Sequence, residues 1–462
     1  MTLKQLFAPS DMTEGRPWEK ILLFTIPMLI GNIAQQLYNT VDSIVVGRYV
    51  GDNALAAVGS ASPILNLLLV LFVGISVGAG VMVSQYFGAK QRKELSVTIG
   101  NCITLTAIAS LIIMIAGPLV TRPLLRLLDT PDSILDWCTS YLVILFVGVA
   151  GSAYYNILCG ILRGLGDSVS ALLYLLVATL LNIVLDIWFV AGLHMGVAGV
   201  SLATAIAQAV SAVLCLLKLC RMTNLFDLKP RFLKLSGHHT LTIIRLGLPS
   251  GLTQAIFSMA MIVVQSLTNS FGELVIAANV IIMRVDGFAM MPNFSFGTAM
   301  TTFAGQNVGA HRYDRVEQGT RQGTAIAVAT STVITGLILL FGKNLMGIFT
   351  STDELVTLSA NMMKILAAGY IAMAVTQCLS GVMRGAGDTM TPMWISLITT
   401  VVIRVPLAYG ISWLTRTPEL PNGAYQCIWI SLLCSWIVGA LVTAFFYIRG
   451  GWKKKALMGS SN

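Results

Sequence analysis

Charge is what this chain has least of. Asp, Glu, Lys and Arg make up 11% of its 462 residues, where soluble domains carry roughly a quarter. Hydrophobic residues reach 56% and the mean hydropathy is +0.80. Such a surface could not be solvated in water, which excludes a soluble globular protein. Histidine is scarce as well. His194, His238, His239 and His311 all fall in expected loops, so no imidazole metal site is expected inside a span. The eight cysteines form no C-x-x-C pair and no other metal-ligand spacing. Cys102, Cys159, Cys215 and Cys434 sit in apolar runs and read as small packing residues. Residues 1–20 are polar and contain no apolar stretch of roughly 7–15 residues, so no cleavable signal peptide is expected.

What remains is apolar sequence in long runs. A bilayer is crossed by about 20 apolar residues in a helix. Twelve such runs lie near 21–47, 54–84, 95–121, 134–162, 168–190, 196–219, 242–269, 274–306, 316–341, 356–383, 391–413 and 425–447. Pro27, Pro63, Pro249 and Pro292 fall in the longest of them, which should kink or tilt rather than split. With the N-terminus inside, 21 Lys and Arg face the cytoplasm and 6 face outward, while Arg284 and Arg404 stay within spans. The positive-inside rule therefore places both termini in the cytoplasm. The same asymmetry accounts for the net charge of +9 without nucleic acid as a partner.

The chain also repeats itself. Gly160, Arg163, Gly164, Gly166 and Asp167 recur as Gly381, Arg384, Gly385, Gly387 and Asp388, an offset of 221. The same offset pairs Gln85, Gly88 and Ala89 with Gln306, Gly309 and Ala310, and Gly51, Ala56 and Ala57 with Gly272, Ala277 and Ala278. Each half holds six helices, an even number, so the halves are parallel repeats. The expected fold class is an all-α membrane protein of twelve transmembrane helices in two six-helix repeats. The N-terminal lobe is 1–219, a basic cytoplasmic linker is 220–241, and the C-terminal lobe is 242–462.

The paired Arg-Gly-x-Gly-Asp-(Ser/Thr) loops carry a family resemblance, together with the first-helix segment Gln-Gln-Leu-Tyr-Asn-Thr-Val-Asp42, the Gly-Ala-Lys and Gly-Ala-His loops and the Asn182/Asp186 pair. The chain resembles the MATE (multidrug and toxic compound extrusion) transporters over essentially its whole length. The resemblance implies two lobes in a V around a cleft. It implies export of bulky, mostly cationic amphiphiles driven by inward H⁺ or Na⁺, from a bacterial inner membrane. No other cofactor is implied, the partners are small-molecule drugs and membrane lipid, and the protein is expected to be a monomer.

Intramembrane charges cost several kcal/mol and are functional candidates. Asp42 lies roughly 12 Å and Asp186 roughly 9 Å inside the outer boundary at the helical rise. Asn182 is one turn from Asp186 and shares its face. Such carboxylates can hold a proton or, with amide and backbone oxygens, a Na⁺ ion. The competing reading is helix–helix hydrogen bonding that only holds the lobe together. By motif match to MATE proteins, the polar cluster takes in Gln35, Tyr38, Tyr141, Asn156 and Thr204, and Pro27 is a hinge that couples it to cleft shape. The second half differs: the repeat partner of Asp42 is Val263. Its buried charges are Arg284, Asp286 and Arg404, a second-lobe site or a structural pairing. The loop pairs Arg163/Asp167 and Arg384/Asp388 are expected to be exposed, with Gly164 and Gly385 ending helices and the aspartates capping the next ones. Met259, Met261, Met283 and their neighbours in spans 7 and 8 suit either a wall that accepts many ligand shapes or plain packing. Two alternatives stand beside efflux. A lipid-linked oligosaccharide flippase of the same superfamily should show fourteen spans and a basic cleft. A membrane-embedded enzyme or a receptor should show catalytic spacing or a soluble domain, and neither is present in the sequence.

Overall fold

The computed structural model describes residues 9–127 and 130–457, apart from some side chains within 39–71. All of its regular elements are helical. In chain order they are α1 (Pro17–Tyr49), α2 (Asp52–Gly88), α3 (Arg92–Leu127), α4 (Asp132–Val147), α5 (Val149–Gly164), α6 (Ser168–Asp186) and α7 (Gly196–Cys220). There follow α8 (Gly237–Asn269), α9 (Glu273–Gly309), α10 (Tyr313–Gly347), α11 (Asp353–Ala367), α12 (Gly369–Gly385), α13 (Met390–Leu397), α14 (Val405–Leu414) and α15 (Cys427–Arg449). Two π-helical segments, Ile187–Gly192 and Ile398–Arg404, continue α6 and join α13 to α14.

Among the described residues, nine helices are long and apolar enough to cross a membrane, and two bent pairs, α4 with α5 and α11 with α12, bring the number to eleven. The 37-residue α2 holds the place of the second expected run, and within it Phe72–Gly88 is a shorter apolar helix among the described residues. The bends are 52° and 44°. They fall at Gly148 and Ala368, within one residue of the sequence offset, and neither is at a proline. Pro27, Pro249 and Pro292 lie inside unbroken helices.

The helices gather into two compact units. One holds Ile26–Gly251 with the segment up to Asp11, and the other holds Met12–Thr25 with Leu252 onward. Helices α1 and α8 are thus each divided between units, close to Pro27 and Pro249. Each unit strings a polar strap across the start of its third repeat helix. In the first unit Arg92 donates to the carbonyls of Thr223 and Asn224 and pairs with Asp227 at 3.0 Å, while Asn101 accepts from the N–H of Ser236 at 2.7 Å. In the second, Arg315 donates to the carbonyls of Met12 and Glu14, and Arg312 to that of Thr13.

The repeated glycines explain how the helices can touch. A Cβ on Gly160 would meet Ser76 Oγ at 2.3 Å, and one on Gly164 would meet the Gly80 carbonyl at 2.6 Å. In the second half a Cβ on Gly381 would meet the Gly297 carbonyl at 2.4 Å, and one on Gly385 the Thr301 carbonyl at 2.3 Å. Small residues four apart let backbones approach this closely in lipid, where helix association depends on packing and hydrogen bonds. The left-handed turn after each helix falls on Gly166 (φ 84°) and Gly387 (φ 97°), two residues beyond the glycines expected to end the helices.

The expectation that the following aspartates are exposed is corrected. Asp167 is 1% and Asp388 5% exposed, because the close helix approach buries the turn. Both do cap the next helix as expected. Asp167 accepts from the Ser170 N–H at 2.9 Å and its hydroxyl at 2.7 Å, and Asp388 accepts from the Thr391 N–H at 3.3 Å and its hydroxyl at 2.8 Å. Burial pushes the Asp167 carboxyl above its usual range, against the pull of the Ser170 donors and of Lys218 at 3.7 Å. His238 and His239, expected in a loop, lie in the first turn of α8, where His239 Nε2 sits 3.0 Å from Glu94.

Candidate functional site

The first unit brings part of the expected polar cluster together. Asn182 and Asp186 are fully buried on one face of α6, four residues apart. Asn182 donates its amide to Thr204 Oγ1 on α7 at 3.3 Å. The Tyr38 hydroxyl on α1 donates to the same oxygen at 3.2 Å. Three helices are therefore pinned through one threonine, and Asp186 sits one turn beyond the pin. The helix widens into the π-helical segment Ile187–Gly192 directly after Asp186. Extra residues of this kind redirect side chains and recur at functional sites. A carboxylate here cannot be solvated by bulk water, so it needs a proton, a cation or strong donors.

Asn156 stands apart from this cluster. The Asn156 side chain donates to the Ser152 carbonyl in its own helix at 2.8 Å, and its backbone carbonyl accepts from Ser76 at 2.6 Å. This is the helix-packing role. Tyr141 is buried in the apolar cluster with Ala57, Leu142 and Val190. Gln35 is half-buried, one turn before Tyr38. Asp42 falls in α1, and its side chain lies outside the described residues.

The second unit holds a different constellation. Asp286 on α9 accepts from the Tyr370 hydroxyl on α12 at 2.9 Å. Tyr370 is fully buried against Trp436. Arg404, last residue of the second π-helical segment, is 8% exposed, and its Nε is buried with no hydrogen-bond partner. Asp286 and Arg404 line one small cavity of about 40 Å³ with Gln265, Thr268, Asn279 and Trp429. Arg284 does not join them. It is exposed, two residues from Asp286, a spacing that puts the two on different faces of α9. Sequence reasoning missed Tyr370, the one tyrosine of span 10, and the amides of Gln265 and Asn279, which face the cavity from spans 7 and 8. No group of three or more metal-type ligands occurs among the described residues.

A family model, MatE, matches this chain twice, at residues 27–188 and again at 249–410. The chain belongs to the MATE family. The two matches are equal in length and start 222 residues apart, one residue from the offset of the paired loops. The chain is 28% identical to the probable multidrug resistance protein YoeA of Bacillus subtilis (strain 168), over 95% of each chain. It is 29% identical to the probable multidrug resistance protein YpnP of the same organism, over 97% of this chain and 98% of the relative. A solved outward-facing multidrug resistance MATE family transporter of the MOP superfamily matches with a TM-score of 0.89 at 25% identity, covering 97% of this chain and 99% of that one. The MATE fold is therefore two-lobed and all-helical here as well, and the chain is a multi-pass membrane transporter rather than an enzyme.

Proposed function

We propose that this MATE protein is a cation-coupled antiporter that exports bulky amphiphilic, mostly cationic drugs by alternating access. The coupling ion is H⁺ or Na⁺. The observation that carries the reading is Asp186, a fully buried carboxylate one turn from Asn182 in an apolar span. The relatives named as multidrug resistance proteins support the substrate class. In the outward state an ion binds at Asp186, with Asp42 as its partner on α1, and drug leaves. The loaded protein turns inward, releases the ion and takes new drug. Tyr38, Thr204 and Asn182 hold α1, α6 and α7 in register while the carboxylate changes charge, and Pro27 bends α1 between states. One charge crossing about 100 mV supplies ~2.3 kcal/mol, and one pH unit about 1.4 kcal/mol more. The protein works as a monomer in the bacterial inner membrane with both termini in the cytoplasm.

The test is efflux of a fluorescent cation such as ethidium from proteoliposomes under an imposed pH gradient, then under a Na⁺ gradient. The reading requires one of the two to drive transport in the wild type. Efflux driven by neither would sink it.

A further inference from the structure

We propose that the cavity between Asp286 and Arg404 in the second unit is a binding site for the carboxylate head of a small amphiphilic anion, taken up together with a proton on Asp286. The inference stands apart from the proposed function: it concerns the other unit and does not depend on which ion drives transport.

The argument starts from Arg404. A guanidinium in an apolar span is strongly disfavoured unless its donors are met. Here Nε is buried and unmet, and other atoms of the same side chain line a cavity. The terminal nitrogens of a guanidinium can offer a carboxylate two parallel hydrogen bonds. Asp286 does not fill that role, since its Oδ1 is taken up by the Tyr370 hydroxyl and it makes no direct bond to Arg404. The cavity, about 40 Å³, admits a head group the size of one or two waters but no aromatic ring. Among its lining residues Met261, Met283 and Gln265 are exposed, so two flexible thioethers and one amide stand at its open side. A head-in, tail-out ligand fits this shape, with the tail against the flexible thioethers.

The charge count supplies the proton. With Asp286 ionised, the cavity is neutral and water suffices. A second carboxylate on Arg404 leaves one negative charge too many in a poorly solvated place, so the two carboxylates share one proton. The protonated Asp286 keeps Tyr370 as donor and can itself donate to the incoming head group. Among the described residues, Tyr370 is the other titratable group that faces this pair. From α8, α11 and α15 the cavity receives only neutral side chains, from α12 it receives Tyr370 by way of Asp286, and Arg284 on α9 lies outside the lining.

The test is titration calorimetry of the full chain in lipid nanodiscs with benzoate, acetate, benzamide and chloride, between about pH 6 and 9. Benzoate should bind more tightly than acetate, and neutral benzamide should not bind. Arg404→Gln should weaken benzoate roughly tenfold to hundredfold, the value of a lost charged hydrogen-bond pair. Once Asp286 is ionised, affinity should fall about tenfold per pH unit. Asp286→Asn should keep benzoate binding and abolish that pH dependence. Benzamide binding as well as benzoate would overturn the proposal in the wild type alone, whatever the variants do. So would the absence of benzoate binding, an Arg404→Gln protein that elutes as a single species and binds normally, or a pH dependence that survives Asp286→Asn. Chloride displacing benzoate as well as acetate does would assign the site to inorganic anions instead.

Discussion

The two halves share a frame and differ in what they bury. Each places glycines four apart against a carbonyl or a hydroxyl of a neighbouring helix, each makes a left-handed turn two residues beyond the second glycine, and each caps the next helix with an aspartate. The polar centres are unlike. The first unit buries Asp186 one turn from Asn182, whose amide donates to Thr204. The second sets Asp286 and Arg404 on one cavity. A buried carboxylate attracts a cation or a proton, whereas a carboxylate with a guanidinium across a cavity also has a place for an anion. Duplication thus kept the packing and let the chemistry diverge, which is possible because the glycine contacts are made at a different point along the helices from the buried charges.

The largest expected effect comes from removing the first carboxylate. Asp186→Asn should uncouple transport, so that drug accumulation no longer rises about tenfold for each tenfold step in the driving ion. Asp286→Asn should leave that dependence in place. Flux measurements on both variants under matched gradients check this. Equal loss in both would erase the division of roles between the halves, and transport by Asp186→Asn at the wild-type rate with normal expression would remove the first unit's site.

A smaller and symmetric effect should follow from filling the glycine contacts. Gly164→Leu and Gly385→Leu each force side-chain atoms into a carbonyl that a Cβ would already meet at 2.6 and 2.3 Å. Each should cost about 1–3 kcal/mol as overpacking, read as a lower thermal midpoint in detergent. A loss confined to one half would show that the shared frame is not equally stressed.

The smallest effect concerns the caps. Asp167→Ala and Asp388→Ala should each cost about 1 kcal/mol. The Asp167 carboxyl is held above its ordinary value of 3.8 by burial. Between that value and the raised one the folded chain holds the extra proton, so this group's contribution is present at low pH and is lost as pH rises through the raised value. Thermal midpoints of the wild type and Asp167→Asn across the acidic range should therefore differ in slope, with the steeper fall in the wild type.

Much of this was legible in the residues. The twelve apolar runs follow from the length a bilayer demands, and the repeat follows from one offset shared by three blocks. Asp186 and Asn182 announced themselves because a carboxylate in an apolar run is rare and i, i+4 residues share a face. Tyr38 and Thr204 came only through resemblance, since a hydroxyl in a span is common and its partner is remote in sequence. Arg284 and Arg404 looked alike as charges inside spans, yet one is exposed and the other faces a cavity, and no local pattern separates them. Tyr370 was invisible because an aromatic in an apolar run carries no signal until Asp286 is found across from it.

The sequence by itself determined the helices, their order and the parallel duplication, because hydrophobic length and spacing are local properties of the chain, and its loop motifs carried the resemblance to the family. Tertiary structure alone decided that Asp167 and Asp388 are buried, that Asn156 donates within its own helix, and that Arg404 lines the same small cavity as Asp286. Those outcomes depend on how close two backbones come, and that distance is set by pairs of residues 80 or more positions apart, such as Gly160 on Ser76 and Gly381 on Gly297.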